Sequence, residues 1–221
     1  MRKIFFIVVI AIASAKMYGQ QILINTLESQ LAKHHVHDSF AVNRLNQLAL
    51  LYDVPVAKRD SIAAEALKLS RQINYAPGEA NALVNMAVVK NDMGHPEIAD
   101  SLSKIAVSLA ENLGDPLTLA LVYKGAGVYK SFAGEPKAGI NYYLKAEAIC
   151  RQNNFTELLS LIQGQLSFLR RKSFNNKLFS FLFTHISRHF IRSHILSDLF
   201  FFIFILIINW PELSGFFWVQ V

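Results

Sequence analysis

Residues 86–106 read MAVVKNDMGHPEIADSLSKIA, and residues 126–146 read AGVYKSFAGEPKAGINYYLKA. The two stretches lie forty positions apart, and the same turn stands near the centre of each: Gly94-His95-Pro96 and Gly134-Glu135-Pro136. Glycine suits the left-handed position that ends a helix, and proline suits the first turn of the next helix. A fixed period of this size predicts repeated units that bury their apolar faces only against neighbouring units.

Each unit is predicted to contain two antiparallel helices, here called helix A and helix B, joined by the glycine turn. In the second unit, Leu83, Met86 and Ala87 recur at helical spacing before that turn. A side chain larger than a methyl group at a helix crossing would push the axes beyond their usual separation of ~8–10 Å. Ala87 and its counterpart Gly127 are therefore expected to be contact points between helices A and B.

This pattern resembles the tetratricopeptide repeat, with a small residue on helix A, glycine at the turn and two alanines seven apart on helix B. Ala87, Gly94, Ala99 and Ala106 fill these positions. The resemblance implies an all-α fold, a right-handed α-solenoid of antiparallel helix pairs. The period of about 40 residues exceeds the ~34 usual for this repeat. The resemblance also implies a concave surface, lined by helix A of each unit, that binds a peptide or helix of another protein.

The repeat array is predicted over residues 40–169, about three and a half units. The first unit is looser than the others, because Arg59 stands where the first alanine of helix B is expected. The fourth unit loses the pattern after about Leu169. The predicted units are 40–77, 78–115, 116–155 and 156–169, preceded by a helix and linker at 20–39.

Partner-contacting residues are expected on the concave side of helix A. Asparagine amides can hydrogen-bond a peptide backbone whatever its side chains are. An ordinary solvated helix face is the alternative interpretation. The paired basic residues that clamp a terminal carboxylate in some members of the family have no counterpart, because only Lys124 could serve. The predicted contact residues are Asn43, Asn46 and Leu50 in the first unit, Asn81, Val84, Val88 and Asn91 in the second, and Lys124, Val128 and Ser131 in the third.

The net charge of +6 does not indicate a nucleic-acid partner, because the excess lies outside the array. Up to Leu169 there are 16 lysines and arginines against 14 acidic residues, and from Arg170 onward there are six against two. The array is thus nearly neutral and has no basic stripe. It also lacks a phosphate loop, a nucleophile elbow and a Cys-x-x-Cys pair. The sequence therefore predicts a non-enzyme without cofactors.

One polar cluster before the first unit offers candidate metal ligands. A polar linker explains this cluster equally well, and no metal site is predicted. The only cysteine, Cys150, takes the position that Ala110 has one unit earlier, and it is expected to be buried and inert. The members of the polar cluster are His34, His35, His37 and Asp38.

Residues 1–19 resemble a secretory signal peptide, with two basic residues, an apolar run over 4–12 and then small residues. Cleavage is expected after Ala15 or Gly19. An uncleaved anchor is the alternative, but its apolar run is far shorter than the ~20 residues that span a bilayer. The array is therefore expected to be exported, either periplasmic or associated with the inner membrane.

The composition changes at residue 170, where a phenylalanine-rich, basic and irregular tail is predicted to begin. The uncharged run between Asp198 and Glu212 would form a helix of about 20 Å, against a hydrocarbon core of ~30 Å. Two interpretations of residues 170–221 stay open. They form a membrane-associating segment, centred on 199–221, or they are out-of-frame sequence after a truncated fourth unit.

Two functions are consistent with these features. The first is an exported protein–protein interaction module with a concave groove for a partner peptide or helix. The second is the truncated sensory part of a membrane-bound signalling protein, such as a histidine kinase or transcriptional regulator with tetratricopeptide repeats. This chain resembles the extracytoplasmic regions of those proteins in three features: a signal peptide, a period near 40 and an Asp-Ser-like start of helix B. In this chain the last feature is seen at Asp60-Ser61 and Asp100-Ser101. The nucleotide sequence downstream of codon 169 would discriminate between the two.

Overall fold

The structure is a computed structural model that describes residues 21–34 and 36–190. Every regular element in these ranges is an α-helix, and the all-α prediction is confirmed for them. The helices are α1 at 21–33, α2 at Ser39–Leu48, α3 at Val56–Gln72, α4 at Ala76–Asp92, α5 at Pro96–Leu113, α6 at Pro116–Phe132, α7 at Pro136–Asn153 and α8 at Thr156–Phe190.

The bounds of two successive helix pairs recur at a constant offset. α4 and α6 each have 17 residues, and α5 and α7 each have 18. Both ends of α6 and of α7 lie forty positions after the corresponding ends of α4 and α5. The starts follow from the sequence, because proline at the first position of a helix loses no hydrogen bond and fixes a helical φ. Pro96, Pro116 and Pro136 occupy this position in α5, α6 and α7.

The turns within these pairs share one geometry. Gly94 after α4 and Gly134 after α6 have φ of 82° and 83°, the left-handed conformation that the sequence predicts. The N–H of His95 donates to the carbonyl oxygen of Lys90 at 2.9 Å, and the N–H of Glu135 donates to that of Lys130 at 2.9 Å. These bonds cap both helices in the same way.

A second left-handed position, which sequence reasoning missed, follows helix B of each pair. Asn74, Gly114 and Asn154 have φ of 54°, 67° and 58° after α3, α5 and α7. The three residues stand forty positions apart in the sequence. Asparagine and glycine are the residues that adopt this conformation most readily. The alternation of Asn and Gly at this spacing is the signal that would have revealed the position.

The chain divides into two compact units, Met1–Phe155 and Thr156–Val221. Within the first unit, consecutive helices pack as the pairs α2–α3, α4–α5 and α6–α7. The first helix of each pair also packs against the first helix of the next, since α2 contacts α4 and α4 contacts α6. These contacts leave helix α4 with neighbours on several sides.

Small residues lie where the helices approach each other. Ala87, Ala99, Ala106 and Ala146 are completely buried. A Cβ atom on Gly127 would lie 3.0 Å from Cδ1 of Tyr143, a side chain of α7. The prediction that Ala87 and Gly127 are contact points is confirmed.

The prediction of an irregular tail from residue 170 onward is wrong for residues 170–190. Helix α8 continues through Leu169 to Phe190, so residues 170–190 are helical. The physical reason is visible in the sequence, because neither glycine nor proline occurs between Gln165 and Phe190 to stop the helix.

In the part of the chain that the structure describes, none of the helices combines the length and the apolar character that crossing a bilayer requires. The predicted signal peptide at 1–19 and the predicted membrane-associating segment around 199–221 lie outside the described residues.

Candidate partner-binding surface and a buried polar cluster

The structure separates the predicted contact residues into accessible and buried groups. Asn43 is exposed, and Leu50, Asn81, Asn91, Lys124, Val128 and Ser131 are half-buried. The other three are buried, and their predicted place on an open surface is corrected. The buried residues are Asn46, Val84 and Val88.

The two valines are buried because α4 packs against α6 as well as against its own partner helix. Val84 is 1% exposed, and a Cβ atom on Gly125 of α6 would lie 2.8 Å from its Cγ1. Val88 is likewise 1% exposed and belongs to a core cluster with Ala87 and Tyr129. These side chains therefore hold neighbouring helices together.

Asn46 has a structural role in linking α2 to α4. Its Nδ2 donates to the carbonyl oxygen of Gly78 at 3.1 Å. The buried Asn85 in turn donates from Nδ2 to the backbone oxygen of Asn46 at 3.0 Å and to its Oδ1 at 3.1 Å. Buried amides need such partners, since an unpaired polar group away from water is costly. Sequence reasoning missed Asn85, whose partner lies on another helix.

The accessible polar residues are held by bonds within their own neighbourhood. Nδ2 of Asn81 donates to the carbonyl oxygen of Pro77 at 3.1 Å, and Oγ of Ser131 donates to that of Gly127 at 2.7 Å. These bonds fix the side chains on the helix surface.

Burial lowers the pKa of Lys124, because it disfavours the charged form.

Charged and aromatic side chains surround the buried Arg59, and this group, here called the Arg59 cluster, consists of Arg59, Tyr52, Asp92 and Phe132. Nη2 of Arg59 donates to Oδ2 of Asp92 at 2.7 Å, and the guanidinium carbon lies 4.7 Å from the centroid of the Tyr52 ring. The rings of Tyr52 and Phe132 are 5.8 Å apart. The cluster joins α3 and the loop after α2 to the ends of α4 and α6.

The Arg59 cluster also perturbs the tyrosine within it. Burial raises the pKa of the Tyr52 hydroxyl, and the negative charge of Asp92 raises this pKa further, while Arg59 opposes the effect. The sequence showed Arg59 only as a departure from the small residue expected on helix B. A charged residue at a position that requires burial is the signal for such a cluster.

Two lysine–aspartate ion pairs lie forty residues apart, the same offset as that between the helix bounds. Nζ of Lys90 lies 2.8 Å from the carboxylate of Asp60, and Nζ of Lys130 lies 3.0 Å from that of Asp100. Hydrogen bonds from Lys104 and Lys130 lower the pKa of Asp100. Burial opposes the charged form of Lys130, but its hydrogen bonds to Glu135 and Asp100 outweigh that effect and raise its pKa. The sequence pointed to the aspartates as helix starts, but it did not reveal their lysine partners.

The polar cluster before the first unit forms a local hydrogen bond. Nε2 of His34 lies 2.9 Å from Oδ1 of Asp38. The same Oδ1 accepts a hydrogen bond from the N–H of Ala41 at 3.1 Å and so caps α2. Among residues 21–34 and 36–190, no group of three or more histidine, cysteine or acidic side chains is arranged to hold a metal ion. His35 lies outside the described residues.

Cys150 is completely buried in α7, as the sequence predicts. Burial raises the pKa of its thiol, and the charge of Glu147 adds to this effect. A raised pKa keeps the thiol protonated near neutral pH, and the thiolate is the reactive form.

Comparison of the chain with protein-family models, curated proteins and solved structures finds no match. The resemblance to the tetratricopeptide repeat therefore stays a prediction from the sequence.

Proposed function

We propose that the chain is an exported protein–protein interaction module of the tetratricopeptide type. Its helix pairs would form a right-handed solenoid, with α2, α4 and α6 presenting a concave surface to a peptide or helix of a partner protein. One observation carries the proposal: the helix bounds, the left-handed turn residues and the Lys–Asp ion pairs all recur at forty residues. Stacked repeats offer an extended surface rather than a closed pocket.

The proposed partner surface consists of Asn43, Asn81, Asn91 and Ser131. These residues are exposed or half-buried and lie on the first helices of the three pairs. Their amides and hydroxyl can donate and accept hydrogen bonds without a net charge. Such a surface suits the backbone of a peptide or the polar face of a helix. The same proposal takes the chain to be a non-enzyme that uses no cofactor and binds no nucleic acid.

Site-specific photo-crosslinking in the full chain tests the proposal. A benzophenone amino acid replaces Asn91 in one variant and Ser108, an exposed residue of helix α5, in the control. We expect a discrete crosslinked partner from position 91 in the envelope fraction and none from position 108. Adding Asn81→Ala to the position 91 variant should reduce the yield.

The partner is then identified by mass spectrometry, and its binding is repeated with purified protein. Equal products from positions 91 and 108, or no product from either, would place the interaction elsewhere on the molecule.

A further inference from the structure

Three members of the Arg59 cluster occupy the same position of three successive units. Tyr52, Asp92 and Phe132 stand forty residues apart in the sequence. Asp92 and Phe132 are the last residues of α4 and α6. Helix α2 ends at Leu48 instead of at Tyr52, so the tyrosine lies in the loop at 49–55. The first helix pair therefore departs from the other two at the position where all three meet.

The sequence gives a physical reason for the early end of α2. The turns after α4 and α6 use Gly94 and Gly134 in the left-handed conformation, and the equivalent residue of the first unit is Val54. A β-branched residue is a clear outlier in that conformation, and Val54 does not have a positive φ. The first pair needs another turn, in which the N–H of Leu51 donates to the carbonyl oxygen of Leu48, three residues back.

The loop brings the Tyr52 side chain into contact with the third helix pair. The centroids of the Tyr52 and Phe132 rings are 5.8 Å apart. Tyr143 of α7 provides a second link, because burial raises the pKa of its hydroxyl and the negative charge of an ionised Tyr52 raises this pKa further. The first and third pairs thus interact directly, at a separation of 80 residues in the sequence.

The same side chain is tied to the second pair. The guanidinium carbon of Arg59 lies 4.7 Å from the centroid of the Tyr52 ring, and Nη2 of Arg59 donates to Oδ2 of Asp92 at 2.7 Å. The second and third pairs are joined by the packing of α4 against α6. Each of the three helix pairs is therefore connected to both of the others.

A closed set of contacts restricts motion more than a row of contacts does. In stacked repeats each unit touches only its neighbours, and the angle between the first and third units is set by two successive interfaces. A direct contact between the first and third pairs fixes that angle independently. Phe132 is 49% exposed and Tyr52 is half-buried, so the contact lies near the surface and can open without unfolding of the helices.

We propose that the loop carrying Tyr52 is a strap that ties the first helix pair to the third through Phe132 and fixes the mutual arrangement of the three pairs. The inference goes beyond the proposed function and does not depend on it. The strap also lies beside the proposed partner surface, because Asn91 and Ser131 directly precede Asp92 and Phe132 in the chain.

Distance measurements between spin labels in the full chain test the strap. Nitroxides are attached at Lys68→Cys in α3 and Ala148→Cys in α7, both exposed positions. Cys150→Ala removes the native thiol, since Ala110 occupies the equivalent buried position. Double electron–electron resonance should give one narrow distance distribution for the otherwise native chain. Tyr52→Ala should broaden this distribution and shift it to longer distances.

A second label pair shows whether the change is confined to the first and third helix pairs. Labels at Lys68→Cys and at Ser108→Cys, an exposed position of α5, report on the first and second pairs. Their distance distribution should stay unchanged in Tyr52→Ala, because the bond between Arg59 and Asp92 is kept.

Three further variants separate the strap from a general loss of packing. Phe132→Ala removes the other ring of the contact and should reproduce the effect of Tyr52→Ala, and its exposure makes it the decisive variant if Tyr52→Ala does not fold. Tyr52→Phe keeps the ring and should retain the narrow distribution. Tyr142→Ala removes a ring that lies 5.9 Å from Tyr123 within the third pair, and it should leave the distribution between positions 68 and 148 unchanged.

Two results would overturn the strap. One is a distribution between positions 68 and 148 that Phe132→Ala leaves as narrow as in the otherwise native chain. The other is an equal broadening in Tyr142→Ala, which would show that the loss of any aromatic contact loosens the helix pairs.

Discussion

Nζ of Lys130 lies 3.0 Å from Oδ1 of Asp100, and this bond joins helix α6 to helix α5 of the preceding pair. Lys90 and Asp60 form the same bond forty residues earlier, between α4 and α3. In both cases the two residues are 30 positions apart in sequence. The ion pair therefore couples the second helix of one pair to the first helix of the next.

The coupling between Lys130 and Asp100 should be measurable in a double-mutant cycle. We expect an interaction free energy of about 1 kcal/mol from Lys130→Gln, Asp100→Asn and the double variant, because partners in contact couple by 0.5–3 kcal/mol. Lys130 is only 17% exposed, which limits screening by water. Urea unfolding of the four proteins provides the measurement.

Lys104 is the matched control, since it also pairs with Asp100, at 2.6 Å, but is 76% exposed. Its coupling should stay below about 0.5 kcal/mol, as for other exposed pairs within a helix. A coupling free energy at Lys104 as large as that at Lys130 would mean that the ion pair between helices stabilises the fold no more than an exposed pair within one helix.

The contribution of Asp100 should disappear in acid. Hydrogen bonds from Lys104 and Lys130 hold its pKa below the ordinary value of 3.8 in the folded chain. A depressed folded pKa adds stability above the unfolded value and loses it as the pH falls through the folded value. The difference in unfolding free energy between the native chain and Asp100→Asn should be constant from about pH 5 to 7 and vanish as the pH falls below 3.8 and through the folded pKa. A difference that persists at the lowest pH would mean that the carboxylate charge is not what stabilises the fold.

Gly125 tests the contact between α4 and α6. Alanine is favoured over glycine by ~1 kcal/mol inside a helix, yet its Cβ would lie 2.8 Å from Cγ1 of Val84. Overpacking of this kind costs about 1–3 kcal/mol, so Gly125→Ala should destabilise the chain. Adding Val84→Ala should return part of that loss, because it removes the colliding methyl groups.

Ser101→Ala on the exposed side of α5 is the control for helix propensity alone, and it should change the stability by less than about 0.5 kcal/mol. Chemical denaturation monitored by circular dichroism compares the variants. A stabilising Gly125→Ala would show that α4 and α6 do not approach closely at this point.

The parts of the fold that the sequence predicted are those with a local cause. The turn between the helices follows from the backbone preferences of Gly94, Pro96 and their counterparts forty residues later, so the helix ends were predictable. The small side chains of Ala87 and Ala106 indicate close packing of the helices. Each of these signals can be read within a few residues.

The errors on the proposed partner surface arise from contacts that no local pattern contains. Val84 and Val88 were assigned to an open face, but α4 packs against α2 and α6 as well as α5, and little of its circumference is left for solvent. Arg59 finds Asp92 at a separation of 33 residues, and Asn46 finds Asn85 at 39. Pairings over such distances depend on how neighbouring helices are placed, which the spacing of residues along one helix does not encode.

Gly114 gives a test of the recurring left-handed position. Its φ is 67°, and a Cβ atom there would meet nothing within 4 Å, so any cost of substitution comes from the backbone. Gly114→Ala should destabilise the chain by about 1 kcal/mol, because a left-handed conformation costs an ordinary residue roughly 1–2 kcal/mol.

Gly114→Asn should cost clearly less than Gly114→Ala, because asparagine tolerates this conformation and occupies the equivalent positions as Asn74 and Asn154. The converse changes, Asn74→Gly and Asn154→Gly, should leave the stability within about 0.5 kcal/mol of the native value, since both residue types suit the position. Urea midpoints of the four variants measure the order. If alanine and asparagine at position 114 destabilise equally, the three positions share a spacing without sharing a conformational requirement. If alanine alone is penalised, the unit of forty residues is closed at its end by the same backbone geometry in all three helix pairs.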